Sequence, residues 1–159
     1  MKKKSKILSV PVTLLILCTV LLMGCKKTHD LGVYDKNTPE DQLCTLEIAG
    51  NIQVDNFNGN KVKWTMLGSV TGGSEVQAVI KIPAGTHEMK VMFAQVDTDG
   101  VSATVKDVDV SNTFIAGRTY RLTAILHYPN GETKDTWKGM PKSINNLQRV
   151  SFNVIDKTQ

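Results

Sequence analysis

The chain has 159 residues, with 19 Lys or Arg against 15 Asp or Glu and a formal charge of +4. That excess invites a nucleic-acid or anionic-surface reading, yet Lys2, Lys3, Lys4 and Lys6 carry all of it, and the rest of the chain holds 15 basic and 15 acidic side chains. If that basic start is removed, no net positive field remains, and with no run of mixed Arg and aromatic residues for single-strand stacking, a nucleic-acid partner is not expected.

The first element is a basic start followed by an apolar run. Residues Ile7 to Met23 are apolar apart from Ser9, Thr13, Cys18 and Thr19, and Pro11 interrupts them. Such a run sits at the lower limit for spanning a bilayer, whereas it suits the apolar core of a cleaved export signal. It ends in Leu22-Met23-Gly24-Cys25. This resembles the signals of bacterial lipoproteins, with an aliphatic residue three before the cysteine and a small one just before it; Met23 is bulkier than the residue usual at its position. The resemblance implies cleavage between Gly24 and Cys25 and acylation of Cys25 as the first residue of the mature protein. At about 0.8 kcal/mol per buried methylene, two or three acyl chains hold a protein on a membrane essentially permanently. The resemblance also implies that Lys26, which is not a retention aspartate, favours transfer to an outer membrane. The implied location is the cell envelope, outside the cytoplasm, on a periplasmic or surface face.

Loss of the leader 1–24 leaves 135 of the 159 residues, enough for one domain that buries roughly two thirds of its unfolded surface. Cys18 leaves with the leader and Cys25 is consumed by lipid, so Cys44 has no intramolecular partner and no disulfide framework exists. Residues 25–42 form the lipidated cysteine and a polar tether, interrupted only by Leu31, Val33 and Tyr34. A flexible segment of that size has a reach of about 20 to 25 Å, unless Tyr34 docks on the domain and shortens the arm.

Residues 43–159 read as one all-β domain, because the dominant hydrophobic period is two rather than 3.6. Candidate strands are Leu43 to Ala49, Ile52 to Phe57, Lys61 to Leu67, Glu75 to Ile82, His87 to Val96, Val101 to Val110, Arg118 to Tyr128 and Arg149 to Ile155. In the first, Cys44, Leu46 and Ile48 point inward, which makes Cys44 a buried structural thiol rather than a nucleophile. In the seventh, Tyr120, Leu122, Ala124, Leu126 and Tyr128 share one face. The opposite face, with Thr119, Arg121, Thr123 and His127, is polar and predicted to be uncovered.

Turn residues agree with this division. Asn58-Gly59 supplies the positive φ angles of a tight hairpin, and Asp99-Gly100 and Asn130-Gly131 repeat the device. Along Val101, Ala103 and Val105 the apolar residues keep one phase and Val108 and Val110 take the other, which predicts a bulge near Lys106 and Asp107. About eight short strands with Gly-rich turns predict an antiparallel β-sandwich or an open barrel.

Two segments echo one another: Ile82-Pro83-Ala84-Gly85-Thr86-His87 and, with one residue inserted, Ile115-Ala116-Gly117-Arg118-Thr119-Tyr120. Each is predicted to close a strand, turn at Ala-Gly and launch a long strand, with His87 or Tyr120 packed at the corner and its polar tip bonded to backbone. The first segment resembles the strand-turn-strand element of PEGA-type surface modules of bacterial envelope proteins, although the tetrapeptide that names that family is absent. The whole chain is similar to the small envelope lipoproteins of bacteria, a resemblance that carries location and no catalytic residues.

No nucleophile elbow, phosphate loop or dinucleotide fingerprint occurs, so no cofactor is implied. His87-Glu88-Met89-Lys90-Val91 lacks the second histidine of a zinc-protease helix and alternates as a strand, where residues four apart lie about 13 Å apart. Asp97-Thr98-Asp99-Gly100 opens like a calcium loop but lacks the later carboxylates. His29, His87 and His127 fall on three different elements, and no metal site is predicted. The longest loop, Pro129 to Gln148, holds Trp137-Lys138-Gly139-Met140-Pro141. Either Trp137 and Met140 cap the open end of the body, or Trp137, Lys138 and Tyr128 form an exposed platform for a polysaccharide or an envelope protein. The expectation is a non-catalytic envelope lipoprotein, held on the membrane by lipid, that binds a partner or contributes to envelope structure. Its alternatives are an envelope enzyme with a dispersed site and a carbohydrate- or solute-binding protein.

Overall fold

Strict alternation of apolar and polar residues leaves strands as the only regular structure that can bury one side of these segments, and strands dominate. A computed structural model describes residues 28–29, 32–62, 76–96, 100–139 and 144–158. The leader with Gly24 and Cys25, nearly all of the predicted strand Lys61 to Leu67, the turn residues Asp97 to Asp99, and Met140-Pro141 lie outside the described residues.

The strands are β1 (Thr28–His29), β2 (Leu43–Ala49), β3 (Ile52–Phe57), β4 (Asn60–Lys61), β5 (Val76–Pro83), β6 (Gly85–Val96), β7 (Ser102–Phe114), β8 (Thr119–His127), β9 (Thr133–Asp135) and β10 (Arg149–Asp156). They form two sheets. One runs β1-β5-β2-β8-β10, with β9 also on β8; the other runs β4-β3-β6-β7. Neither closes into a barrel. The expectation of purely antiparallel sheets is corrected: β2 pairs β8 in parallel, Leu46 opposite Tyr120, and β1 pairs β5 in parallel. Two strands so distant in sequence carry no hairpin to dictate their direction, and burial of shared apolar faces brings them together instead.

Residues from both sheets make one apolar cluster, including Leu46, Ile48, Ile80, Leu122 and Leu126 from the first and Val54, Met89, Val91 and Phe93 from the second. Each such side chain contributes about 1.5 to 3 kcal/mol on burial. Cys44, Leu46 and Ile48 do face this core.

The turn at Asn58-Gly59 follows the predicted chemistry, whereas Asn130 lacks the positive φ expected of it. Asn58 and Gly59 have φ of 50° and 81°, and Phe57 pairs with Asn60 across them, a type I′ hairpin. Gly131 has φ of 76° and closes the β8–β9 turn, where Tyr128 N–H donates to the Glu132 carbonyl. In β7, Val108 pairs with Val91 and Val105 with Phe93, so Lys106 and Asp107 together oppose Met92. Asp107 takes φ of 56°. This is the predicted bulge, and it returns Ala103, Val105, Val108 and Val110 to one face.

The described part of segment 25–42 touches the body in several places. Thr28–His29 pairs with Val79–Ile80, Val33 packs on the core cluster, and Glu40 at the start of a 3₁₀ turn (Glu40–Gln42) lies 2.6 Å from Lys81.

Candidate functional site

The two echoing corners are built as mirror solutions of one problem. At the first, His87 Nε2 donates to the Pro83 carbonyl (2.9 Å) and His87 Nδ1 accepts from the Asn58 side-chain amide (2.8 Å). Asn58 Oδ1 in turn accepts from the Glu88 N–H (3.0 Å), which fixes the amide orientation and hence the neutral Nε2–H tautomer. At the second, the Tyr120 hydroxyl accepts from the Ile115 N–H (2.8 Å). Phe57, His87, Phe114 and Tyr120 form a continuous aromatic row, with neighbouring centroids 4.8, 6.0 and 4.9 Å apart. His87 is therefore a buried corner residue with both nitrogens engaged. Cys44 is equally committed: burial pushes its thiol up to about 11, and its Sγ donates to the Ile82 carbonyl at 3.3 Å.

The outer face of the first sheet is where polar chemistry concentrates, and there the structure corrects the sequence reading twice. The connection after Gly131 is not a structureless loop, because it forms β9 and a 3₁₀ turn, Thr136–Lys138. Nor is the polar face of β8 uncovered: Thr123 is fully buried. The cause lies in the sheet register. One edge of β8 is filled by β10 from Tyr120 to His127, while its other edge is shared by β2, up to Leu122, and β9, from Ile125 onward. Thr123 and Ala124 fall between the two. Thr136 fills that gap: its Oγ1 accepts the Ala124 N–H at 3.2 Å and approaches Thr123 Oγ1 at 3.3 Å. The Thr123 hydroxyl donates to Asp135, whose Oδ1 also caps the turn by accepting from the Trp137 N–H at 2.9 Å.

Trp137 is thereby laid on Arg121, whose guanidinium carbon is 3.2 Å from the ring centroid. Arg121 reaches Glu47 on β2 at 3.4 Å, and Lys157 reaches the same carboxylate oxygen at 2.7 Å. The Glu47 side chain is only 7% exposed, so a carboxylate is held inside by two cations, one of which lies under the Trp137 ring. Tyr128 takes a different cation, Lys134, at 5.6 Å from its ring. Burial raises its phenol above the ordinary value. Lys138 is exposed. Trp137 and Tyr128 both pack partly on the core cluster, and each has its own cation.

Further along the same face, the Ser151 hydroxyl lies 2.7 Å from His127 Nε2, and Arg149 Nη2 lies 3.5 Å from that nitrogen. The sequence reading missed this trio because its members are neighbours only across the β8–β10 ladder. Around the edge, a groove of about 410 Å³ separates the start of β7 from the segment entering β10. Its apolar lining includes Val105, Ile144, Leu147 and Val150. Among the described residues, no group of three or more His, Cys, Asp or Glu is set to hold a metal ion, and no helix is long and apolar enough to cross a membrane. Comparison of the chain with protein families, with characterised proteins and with solved structures finds no match.

Proposed function

We propose that the chain is a bacterial envelope lipoprotein, acylated at Cys25, whose body is a β-sandwich that binds a partner without catalysing a reaction. The observation that carries this reading is the basic, apolar leader ending in Leu22-Met23-Gly24-Cys25. The sandwich is supported by two sheets that contribute to one core cluster. The absence of catalysis is supported by what the reactive side chains do: Cys44 is a protonated core thiol and His87 holds a strand corner through both ring nitrogens. The polar cluster at Glu47 is closed by its own cations and by Trp137, and so presents a finished surface rather than an open polar pocket.

Expression of wild type and Cys25→Ser in a bacterial host, followed by detergent phase partition and mass spectrometry, tests the anchor. Wild type should enter the detergent phase carrying acyl mass on its N-terminal cysteine, and Cys25→Ser should be released or remain unprocessed. A variant that partitions unchanged with the same acyl mass sinks the reading. Turnover of a cell-wall or carbohydrate substrate, abolished by a point mutation, sinks the non-catalytic part.

A further inference from the structure

We propose that the groove between β7 and β10 is a strand-docking site, which takes an extended segment of a partner protein along the edge of β7 at Ser102–Val105 and holds an acidic side chain of that segment on Arg149. The inference deepens the partner-binding reading above and rests on it.

Three observations meet here. The first is a strand edge with no partner strand among the described residues. β7 bonds β6 on one side and forms the end of its sheet, as β10 forms the end of the other, so two strand edges flank the groove. Unpaired strand edges template further pairing, and natural sheets blunt them with charge, bulges or cover. β7 does this over only part of its length. The bulge at Lys106-Asp107 breaks the ladder, and beyond it Asp109 carries an ion pair with Lys90 at 2.7 Å. Before the bulge, Ser102, Ala103, Thr104 and Val105 bear no charge, and they are the β7 residues that line the groove. Four residues of strand span about 13 Å, the length of a short added strand.

The second observation is the opposite wall. Ile144 and Val150 are buried and Leu147 half-buried, so the wall facing β7 is apolar. The groove also lies within the volume range of pockets that hold small ligands or a few side chains.

The third is charge. Arg149 is the one charged residue among those lining the groove. It is exposed and pairs with no carboxylate among the described residues, its contact being the His127 ring nitrogen at 3.5 Å. A guanidinium in that state accepts a carboxylate in two parallel hydrogen bonds. The occupant that fits is an extended peptide alternating apolar and polar residues with an acidic residue at one end.

The test uses the detergent-solubilised full chain and a blocked synthetic heptapeptide, acetyl-Thr-Val-Thr-Val-Thr-Glu-Thr-amide, read by titration calorimetry and by hydrogen exchange. Saturable binding is expected, with slowed exchange at Ser102–Val105. About tenfold weaker binding is expected for Arg149→Ala, for the peptide with Gln in place of Glu, and for Thr104→Lys, which charges the open edge. Thr104 is exposed, so Thr104→Lys should melt with wild type; Arg149→Ala and the Gln peptide give the same reading without touching the edge. No binding at millimolar peptide, or protection elsewhere, overturns the proposal. Protection of Ser102–Val105 that grows with protein concentration and without peptide assigns the edge to a second copy, which also overturns it. The anchor assay on Cys25→Ser is independent of all these outcomes, so loss of the docking site leaves the lipoprotein reading intact, and the converse holds.

Discussion

Arg121 lies flat against Trp137, its guanidinium carbon 3.2 Å from the ring centroid, and this one contact links the 3₁₀ turn after β9 to the buried Glu47 of β2. A cation stacked on an indole and shielded from water is worth about 2 kcal/mol, in addition to the apolar area that the ring covers. Trp137→Ala should therefore destabilise the body by about 2 to 3 kcal/mol and lower the melting temperature by roughly 5 to 15 °C, measured by circular dichroism. Trp137→Phe should recover part of the loss. An unchanged melting temperature for Trp137→Ala would mean that the indole is a surface platform and not a lid.

Removing Glu47 leaves Arg121 and Lys157 without their shared carboxylate, and removing Arg121 leaves Glu47 with Lys157 alone; breaking a fully buried pair typically costs about 3 to 5 kcal/mol. Arg121 and Lys157 are only partly covered, so Glu47→Ala and Arg121→Ala should each cost somewhat less. The double variant should be less destabilised than the sum of the two by about 1 to 2 kcal/mol, because the partner left behind is no longer charged. Chemical denaturation of the four proteins closes this cycle, and strict additivity would show that the pair is not coupled.

Thr136 substitutes for a missing strand. Thr136→Val keeps the shape but strands the Ala124 N–H and removes a partner of Thr123, with an expected loss of about 1 to 3 kcal/mol. Thr136→Ser retains the oxygen and should stay within about 1 kcal/mol of wild type. Urea unfolding separates the two, and equal losses would mean that the methyl group, not the hydroxyl, matters.

Burial pushes the Cys44 thiol up to about 11, whereas an exposed thiol ionises near 8.5. Below that lower value the thiol is protonated whether or not the chain is folded, and it adds no pH dependence. As pH rises from about 8.5 toward 11, the unfolded chain releases a proton that the folded one keeps, so stability falls by at most about 1.4 kcal/mol per pH unit. Melting curves across this window should slope downward in wild type and less steeply in Cys44→Ala. Parallel curves would contradict the prediction. A maleimide should react with Cys44 only as fast as the body opens.

Opposite acid behaviour is expected at Arg118–Asp156, 2.7 Å apart. The Arg118 hydrogen bond holds the Asp156 carboxyl below its ordinary value. The pair's contribution is present above the usual aspartate range and is lost as pH falls through the lowered one. Asp156→Asn should remove that part of the acid-side slope, which a thermal scan between about pH 2 and pH 5 would detect.

Local features were legible from residue order because their causes are local. Leu43 to Ala49 and Ile52 to Phe57 alternate within themselves, Asn58-Gly59 tolerates positive φ by its own chemistry, and the phase slip between Val105 and Val108 announces a bulge before any partner strand is known. His87 and Tyr120 were readable as corner residues, since each bonds backbone four or five positions earlier. The segments β1 and β9 left no trace in the hydrophobic period, being two and three residues long.

Sequence by itself determined that this chain is built of strands and which thiol and which histidine are interior. Tertiary structure alone decided that β2 runs parallel to β8, that Thr136 fills the gap between β2 and β9, that Trp137 roofs Arg121, and that a stretch of β7 has no second partner strand among the described residues. The reason is one of range. Strand propensity and turn geometry act over a few bonds, whereas sheet order and the covering of a polar face depend on which distant segments bury the most surface together, and that competition leaves no periodic mark on any one of them.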